Sequence, residues 1–166
     1  MNKEPFRNPE LYRTKGTDRI NINNLLAAVC VTILTLLVTV PTNRVNFWSI
    51  LQLAIAIPCL ITSSLCYAKF AYRPIDEMNS WDFAGWLTHS VGYACVVNAT
   101  AVLLDVANYG AVAWIFIITN IVLFLAYAVI DVMVGAHRLR EKVWKTLLYL
   151  TLLICGGIIP LCFGVG

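Results

Sequence analysis

The sequence predicts an all-α, polytopic transmembrane helix bundle with five spans, its N-terminus inside and its C-terminus outside. Three observations predict it. The chain has 166 residues, is 60% hydrophobic and only 13% charged, with a mean hydropathy of +0.76. A soluble domain of that length needs far more charge to cover its surface. Five apolar runs, each long enough for a helix to cross a bilayer, follow a polar start. Eleven of the twelve Lys and Arg residues fall in three segments that alternate with the runs: Lys3, Arg7, Arg13, Lys15 and Arg19; then Lys69 and Arg73; then Arg138, Arg140, Lys142 and Lys145. Only Arg44 breaks the pattern. Short loops rich in Lys and Arg stay on the cytoplasmic side, so this split sets the orientation.

The elements follow in order. Residues 1–23 read as a cytoplasmic polar arm, extended near Pro5 and Pro9 and interfacial near Leu11 and Tyr12, and residues 24–166 as one five-span membrane domain. Too many polar residues precede the first run for a signal peptide, so that run reads as an uncleaved span, Asn24 to Val40, stopped by Pro41. The turn 41–46 is short enough to make the second span, Phe47 to Ala68, its antiparallel neighbour. Trp48 falls where an interfacial anchor belongs. Residues 69–80 form the longest internal loop, and Ser80 is placed to cap a third span that runs to Leu104, with Asp82 in its first turn. That span is the least hydrophobic of the five. Asn108-Tyr109-Gly110 turns tightly into the fourth span, Ala111 to Val134; a basic link follows, then the fifth span, Val143 to Phe163.

Composition excludes several classes. Nearly every residue beyond the arm lies in or beside the bilayer, which leaves no room for a soluble catalytic domain. The net charge of +3 is arranged at span ends and mixed with acids, a pattern for headgroups rather than for nucleic acid. All six cysteines lie within apolar runs and none forms a C-x-x-C, so they read as small buried hydrophobes without redox or metal roles. Only two histidines are present, His89 and His137, and no H-x-x-x-H or paired-carboxylate spacing occurs. The expectation is therefore no enzyme, no cofactor and no metal centre.

Function in such a chain would sit on polar residues inside the spans, because each is costly unless it meets protein or water. In the third span Asn98 and Asp105 share one face, seven residues apart, while Asp82, His89 and Tyr93 share the nearly opposite one. In the fourth span Asn120, Tyr127 and Asp131 line up, and Arg138, two turns beyond Asp131 on the same side, is a possible partner for its carboxylate. Thr32, Thr35 and Thr39 make a hydroxyl stripe on the first span, and Gln52 aligns with Ser63 on the second. Pro58 and Pro160 deprive the carbonyls of Ala54 and Gly156 of their usual helical donors.

These stripes look too numerous for one five-helix bundle to bury. The first expectation is therefore a homo-oligomeric ion channel or ion-translocating protein of the cell membrane, with His89, Asn98, Asp105, Asn120, Tyr127, Asp131 and the threonine stripe lining a path for small ions or packing helices. The alternative is a non-enzymatic scaffold, assembly factor or immunity-type partner protein. The lipid bilayer is the one partner both readings share.

Overall fold

The computed structural model describes residues 9–39, 46–72, 78–134 and 139–164. It is all-helical over them, with five helices long and apolar enough to cross a membrane. We label the elements α1 (Pro9–Thr39), α2 (Phe47–Ala68), α3 (Met78–Val106), α4 (Gly110–Val134), α5 (Leu139–Leu153) and α6 (Ile159–Phe163), with a π-helical turn at Ile154–Ile158 joining the last two into one span. The third span is indeed the least hydrophobic. The end carrying Arg13 to Arg19, Lys69 and Arg140 to Lys145 is called the basic end, and the other, with the α3–α4 turn, the turn end.

The bounds of α2 coincide with those the sequence predicts. Asn46 starts this helix by accepting the Trp48 N–H at 2.7 Å on its side-chain oxygen. The α3–α4 turn also closes as its residues suggest. Asn108 takes a left-handed φ of 67°, its N–H bonds the Asp105 carbonyl, and the Tyr109 N–H bonds the Leu104 carbonyl. This Schellman pairing satisfies the last carbonyls of α3 within two residues.

Two expectations change. The first helix starts at Pro9, well before Asn24, so the described part of the arm is a continuous helix that packs on the bundle and not an extended segment. Likewise α3 begins at Met78, so Ser80 lies inside the helix instead of capping it, and Asp82 lies beyond its first turn. The expected stop at Pro41, residues 1–8 and His137-Arg138 lie outside the described residues.

The centre of the bundle is the α2–α3 pair, which makes the most extensive interface. Its cause is a seven-residue register of small against large. Gly85, Gly92 and Ala99 on α3 face Tyr67, Leu60 and Leu53 on α2, all of them buried. A Cβ on Gly92 would stand 2.9 Å from the Leu60 side chain, and one on Gly85 would stand 3.0 Å from the Tyr67 ring. Lipid tails offer no hydrophobic gain from helix association, so such close approach, with its dispersion contacts, holds the pair together. The same period places Gly16, Asn23 and Cys30 as the buried residues of α1. Helix α1 packs on α2, while α4 packs on α3 and α5. Both α1 and α4 are flanking helices with largely exposed, apolar outer faces.

Candidate functional site

Among the described residues, two polar assemblies lie inside the bundle, one at the basic end and one nearer the turn end. The first grows from Asn23. Its amide nitrogen donates to the Ser63 hydroxyl at 2.9 Å, and Ser63 donates to the Gly85 carbonyl at 2.7 Å. The Asn23 side-chain oxygen lies 2.6 Å from Nδ1 of His89. One buried asparagine thus ties α1 to both α2 and α3 and holds the imidazole in place. Beside it the Ser64 hydroxyl donates to the Asn24 side-chain oxygen at 3.0 Å.

From His89 an aromatic ladder crosses the bundle. His89 stacks on Tyr93 with ring centroids 6.0 Å apart, Tyr93 on Tyr149 at 6.1 Å, and Phe124 lies against Tyr149 at 4.1 Å. These rings form the floor of a cavity of about 520 Å³ that opens toward the basic end. The three tyrosine and phenylalanine rings pack with the buried apolar residues Ala94, Val97 and Leu153. The walls carry charge. The Lys15 ammonium bridges both oxygens of Asp82 at 2.8 and 3.0 Å, tying the start of α1 to α3. The Lys142 ammonium lies 3.0 Å from the Asp131 carboxylate and also donates to the Asp131 main-chain carbonyl, tying α5 to α4. The Lys145 ammonium sits 5.0 Å from the centre of the Trp86 ring. With Arg19, the described residues of the lining include four cationic side chains and two carboxylates.

The second assembly explains Pro160. This residue has no N–H to give the Gly156 carbonyl, and the helix responds with a π turn in which the Ile159 N–H reaches back to Ile154. The freed Gly156 carbonyl accepts two side-chain bonds from α2, from the Trp48 indole at 3.0 Å and from the Gln52 amide at 2.8 Å. Trp48, half-buried in the first turn of α2, thus bonds across to the fifth span. Asn98 donates to the Leu152 carbonyl at 3.0 Å and presses against Gly156 and Gly157, where any Cβ would collide with its amide. The side-chain oxygens of Ser49, Gln52 and Asn98 are buried here without a donor from the protein. Pro58, by contrast, is exposed on an unbroken α2.

Of the residues singled out from the sequence, Asp82, His89, Tyr93, Tyr127 and Asp131 come together in the basic-end cavity. Asn98 lies in the second assembly. Asp105 lies apart from both, beside Gly110 at the α3–α4 turn. Asn120 bonds the Phe116 carbonyl of its own helix at 2.9 Å. The hydroxyls of Thr32, Thr35 and Thr39 each bond a carbonyl one turn back, at 2.9, 2.8 and 2.7 Å, on an exposed face of α1. Asp131 pairs with Lys142; the expected partner Arg138 lies outside the described residues. Sequence reasoning missed Lys15, Arg19, Trp86, Lys145 and Tyr149. A signal existed for two of them: Lys15, Arg19 and Asn23 recur every four residues, one face of a helix. Reading residues 1–23 as an arm hid it.

Among the described residues no group of His, Cys, Asp and Glu side chains could hold a metal ion. The fold and its apolar surface define a multi-pass helical membrane protein. No family model, no curated protein and no solved structure matches the chain.

Proposed function

We propose that this is a non-enzymatic protein of the cell membrane that binds an anionic ligand in the cavity at its basic end, with that end in the cytoplasm. The observation that carries the reading is the cavity's lining: among the described residues, Lys15, Arg19, Lys142 and Lys145 stand with Asp82 and Asp131 above an aromatic floor. A low-dielectric cleft lined mainly by charges of one sign concentrates ligands of the other. The orientation rests on the Lys and Arg distribution.

This reading is preferred to a homo-oligomeric ion channel. The channel expectation drew on polar stripes too numerous for one bundle, whereas within a single chain His89, Asn98, Asn120, Asp131 and the three threonines each have a hydrogen-bond or ion-pair partner. The test is equilibrium binding to protein in phosphatidylcholine nanodiscs, using inorganic phosphate, glycerol 3-phosphate and small amounts of phosphatidic acid as probes. At least one should bind saturably, and the double variant Arg19→Gln with Lys145→Gln should weaken it tenfold or more. No saturable binding of any of the three, or binding indifferent to the double variant, overturns the proposal.

A further inference from the structure

We infer that His89 presents a bare Nε2 to the basic-end cavity as a fixed hydrogen-bond acceptor, and that the ligand is a hydroxylated phosphate ester whose hydroxyl donates to it. The inference rests on the anion-binding reading above and adds the chemical class of the ligand. A main-chain carbonyl sets the order. The Gly85 oxygen can only accept, so the Ser63 hydroxyl, 2.7 Å away, spends its proton there. Ser63 is left with lone pairs, and Asn23, at 2.9 Å, must turn its amide nitrogen toward them. That orientation puts the Asn23 side-chain oxygen against Nδ1 of His89 at 2.6 Å, so Nδ1 carries the proton. In a neutral imidazole the other nitrogen is then an acceptor. Asn23, Ser63 and Gly85, which select this tautomer, are all buried.

The surroundings of the ring aim that acceptor. Asn23 is fully buried and meets the Nδ1 edge, while His89 itself lines the cavity. The far edge, which carries Nε2, therefore borders the open space. Nε2 has no hydrogen-bond partner among the described residues. Stacking on Tyr93, with the planes 14° from parallel, restrains the ring from one face. A lone-pair nitrogen so held attracts a donor and repels an unprotonated phosphate oxygen, so the anionic group of the ligand must lie elsewhere.

Arg19 supplies the place for it. Arg19 and His89 both line the cavity, and Asn23, which holds His89, is four residues beyond Arg19 on α1. At 1.5 Å of rise per residue, Arg19 is about 6 Å from Asn23 along the helix, on the side of the basic end. Its planar guanidinium offers two parallel donors to phosphate oxygens. The fitting ligand thus carries a phosphate and a hydroxyl about one helical turn apart, wider than any two oxygens of one phosphate. A soluble polyol phosphate and a lipid with a glycerol-type headgroup both have this chemistry.

The experiment has a spectroscopic and a binding arm, both on the full chain. In a His137→Gln background His89 is the sole histidine, and solid-state nitrogen NMR of isotope-labelled histidine in phosphatidylcholine bilayers reads its tautomer. At neutral pH Nδ1 should appear as N–H and Nε2 as unprotonated; an Nε2 that carries the proton overturns the inference whatever binds. In phosphatidylcholine nanodiscs, glycerol 3-phosphate is titrated against propyl phosphate, and phosphatidylglycerol against phosphatidylpropanol, so that only hydroxyls differ within a pair. The hydroxylated member of at least one pair should bind tenfold or more tightly, and the pair that shows this identifies a soluble or a lipid source. His89→Phe, which keeps an aromatic ring beside Tyr93, should abolish that preference; if the variant fails to fold, judged by thermal unfolding, the NMR arm decides. If anions bind but the hydroxyls confer no preference, or if the preference survives His89→Phe, this inference fails while the anion-binding reading stands. If none of these probes binds saturably, nor inorganic phosphate, nor phosphatidic acid, both fail.

Discussion

Asn23 shows how much one buried polar side chain decides in this bundle. It uses its donor on Ser63 and its acceptor on His89, and it is itself fully buried. Interhelical hydrogen bonds in membranes are worth about 0.6 kcal/mol on average and up to about 1.7. Replacing Asn23 by Leu removes two such bonds, to Ser63 and to His89, so a loss of about 1 kcal/mol is expected, read as a lower unfolding midpoint in detergent. Asn21→Leu, on the exposed side of the same helix, should change the midpoint little. An equal effect of the two would mean that Asn23 does not anchor α1. A parallel comparison holds for two residues that look alike in sequence. Asn98 is 2% exposed and reaches across to α5, whereas Asn120 bonds its own helix. Asn98→Leu should therefore destabilise the protein more than Asn120→Leu, and a reversed order in thermal unfolding would contradict these placements.

At the scale of elements, the α2–α3 pair depends on glycine where a side chain would push the helices apart. Gly92 sits over Leu60 with no space for a Cβ at the present separation. Gly92→Ile overpacks that contact and should cost about 1–3 kcal/mol, measured by thermal or denaturant unfolding; an unchanged midpoint would show that the interface has slack. The fifth span illustrates the opposite strategy. Its proline interrupts the helix, and the break is answered by donors from a different helix, Trp48 and Gln52, together with Asn98 wedged against two glycines. Substituting Gly157 with Val drives a branched side chain into Asn98 and Ile117. The expected result is a loss of about 1–3 kcal/mol and a shift in the emission of Trp48, whose indole bonds the adjoining Gly156 carbonyl. Constant emission from a protein keeping Trp48 as its sole tryptophan would count against this coupling.

For the whole molecule, the proposed orientation is open to a direct test. A charged, membrane-impermeant thiol reagent should label a cysteine placed at Tyr109 from outside intact cells, and one placed at Thr17 only after permeabilisation. Cys162, near the turn end, is changed to alanine first. Labelling of Thr17→Cys in intact cells would reverse the orientation and put the basic cavity on the outer face. The cavity itself belongs to a single chain, with α1, α3, α4 and α5 each supplying part of its wall.

The number of spans, the limits of α2 and the tight turn at Asn108 were all legible in the sequence. They depend on local properties: a run of hydrophobic residues, an asparagine that tolerates φ of 67°, and a proline or glycine at a boundary. Tertiary structure alone decided which face of each helix turns inward. In a bilayer the outward face is as apolar as the core, so hydrophobic periodicity carries little information about burial. The threonine stripe of α1 and the Asn23 face therefore look equally promising as sequence, yet the hydroxyls bond their own helix on an exposed face while Asn23 lies at 0% exposure. What separates them is the seven-residue register of Gly16, Asn23 and Cys30, which lets α1 approach its neighbours closely. The cavity is further from the sequence still. Lys15, His89, Asp131 and Lys145 come from four helices, and only the packing of those helices brings their charges around one space.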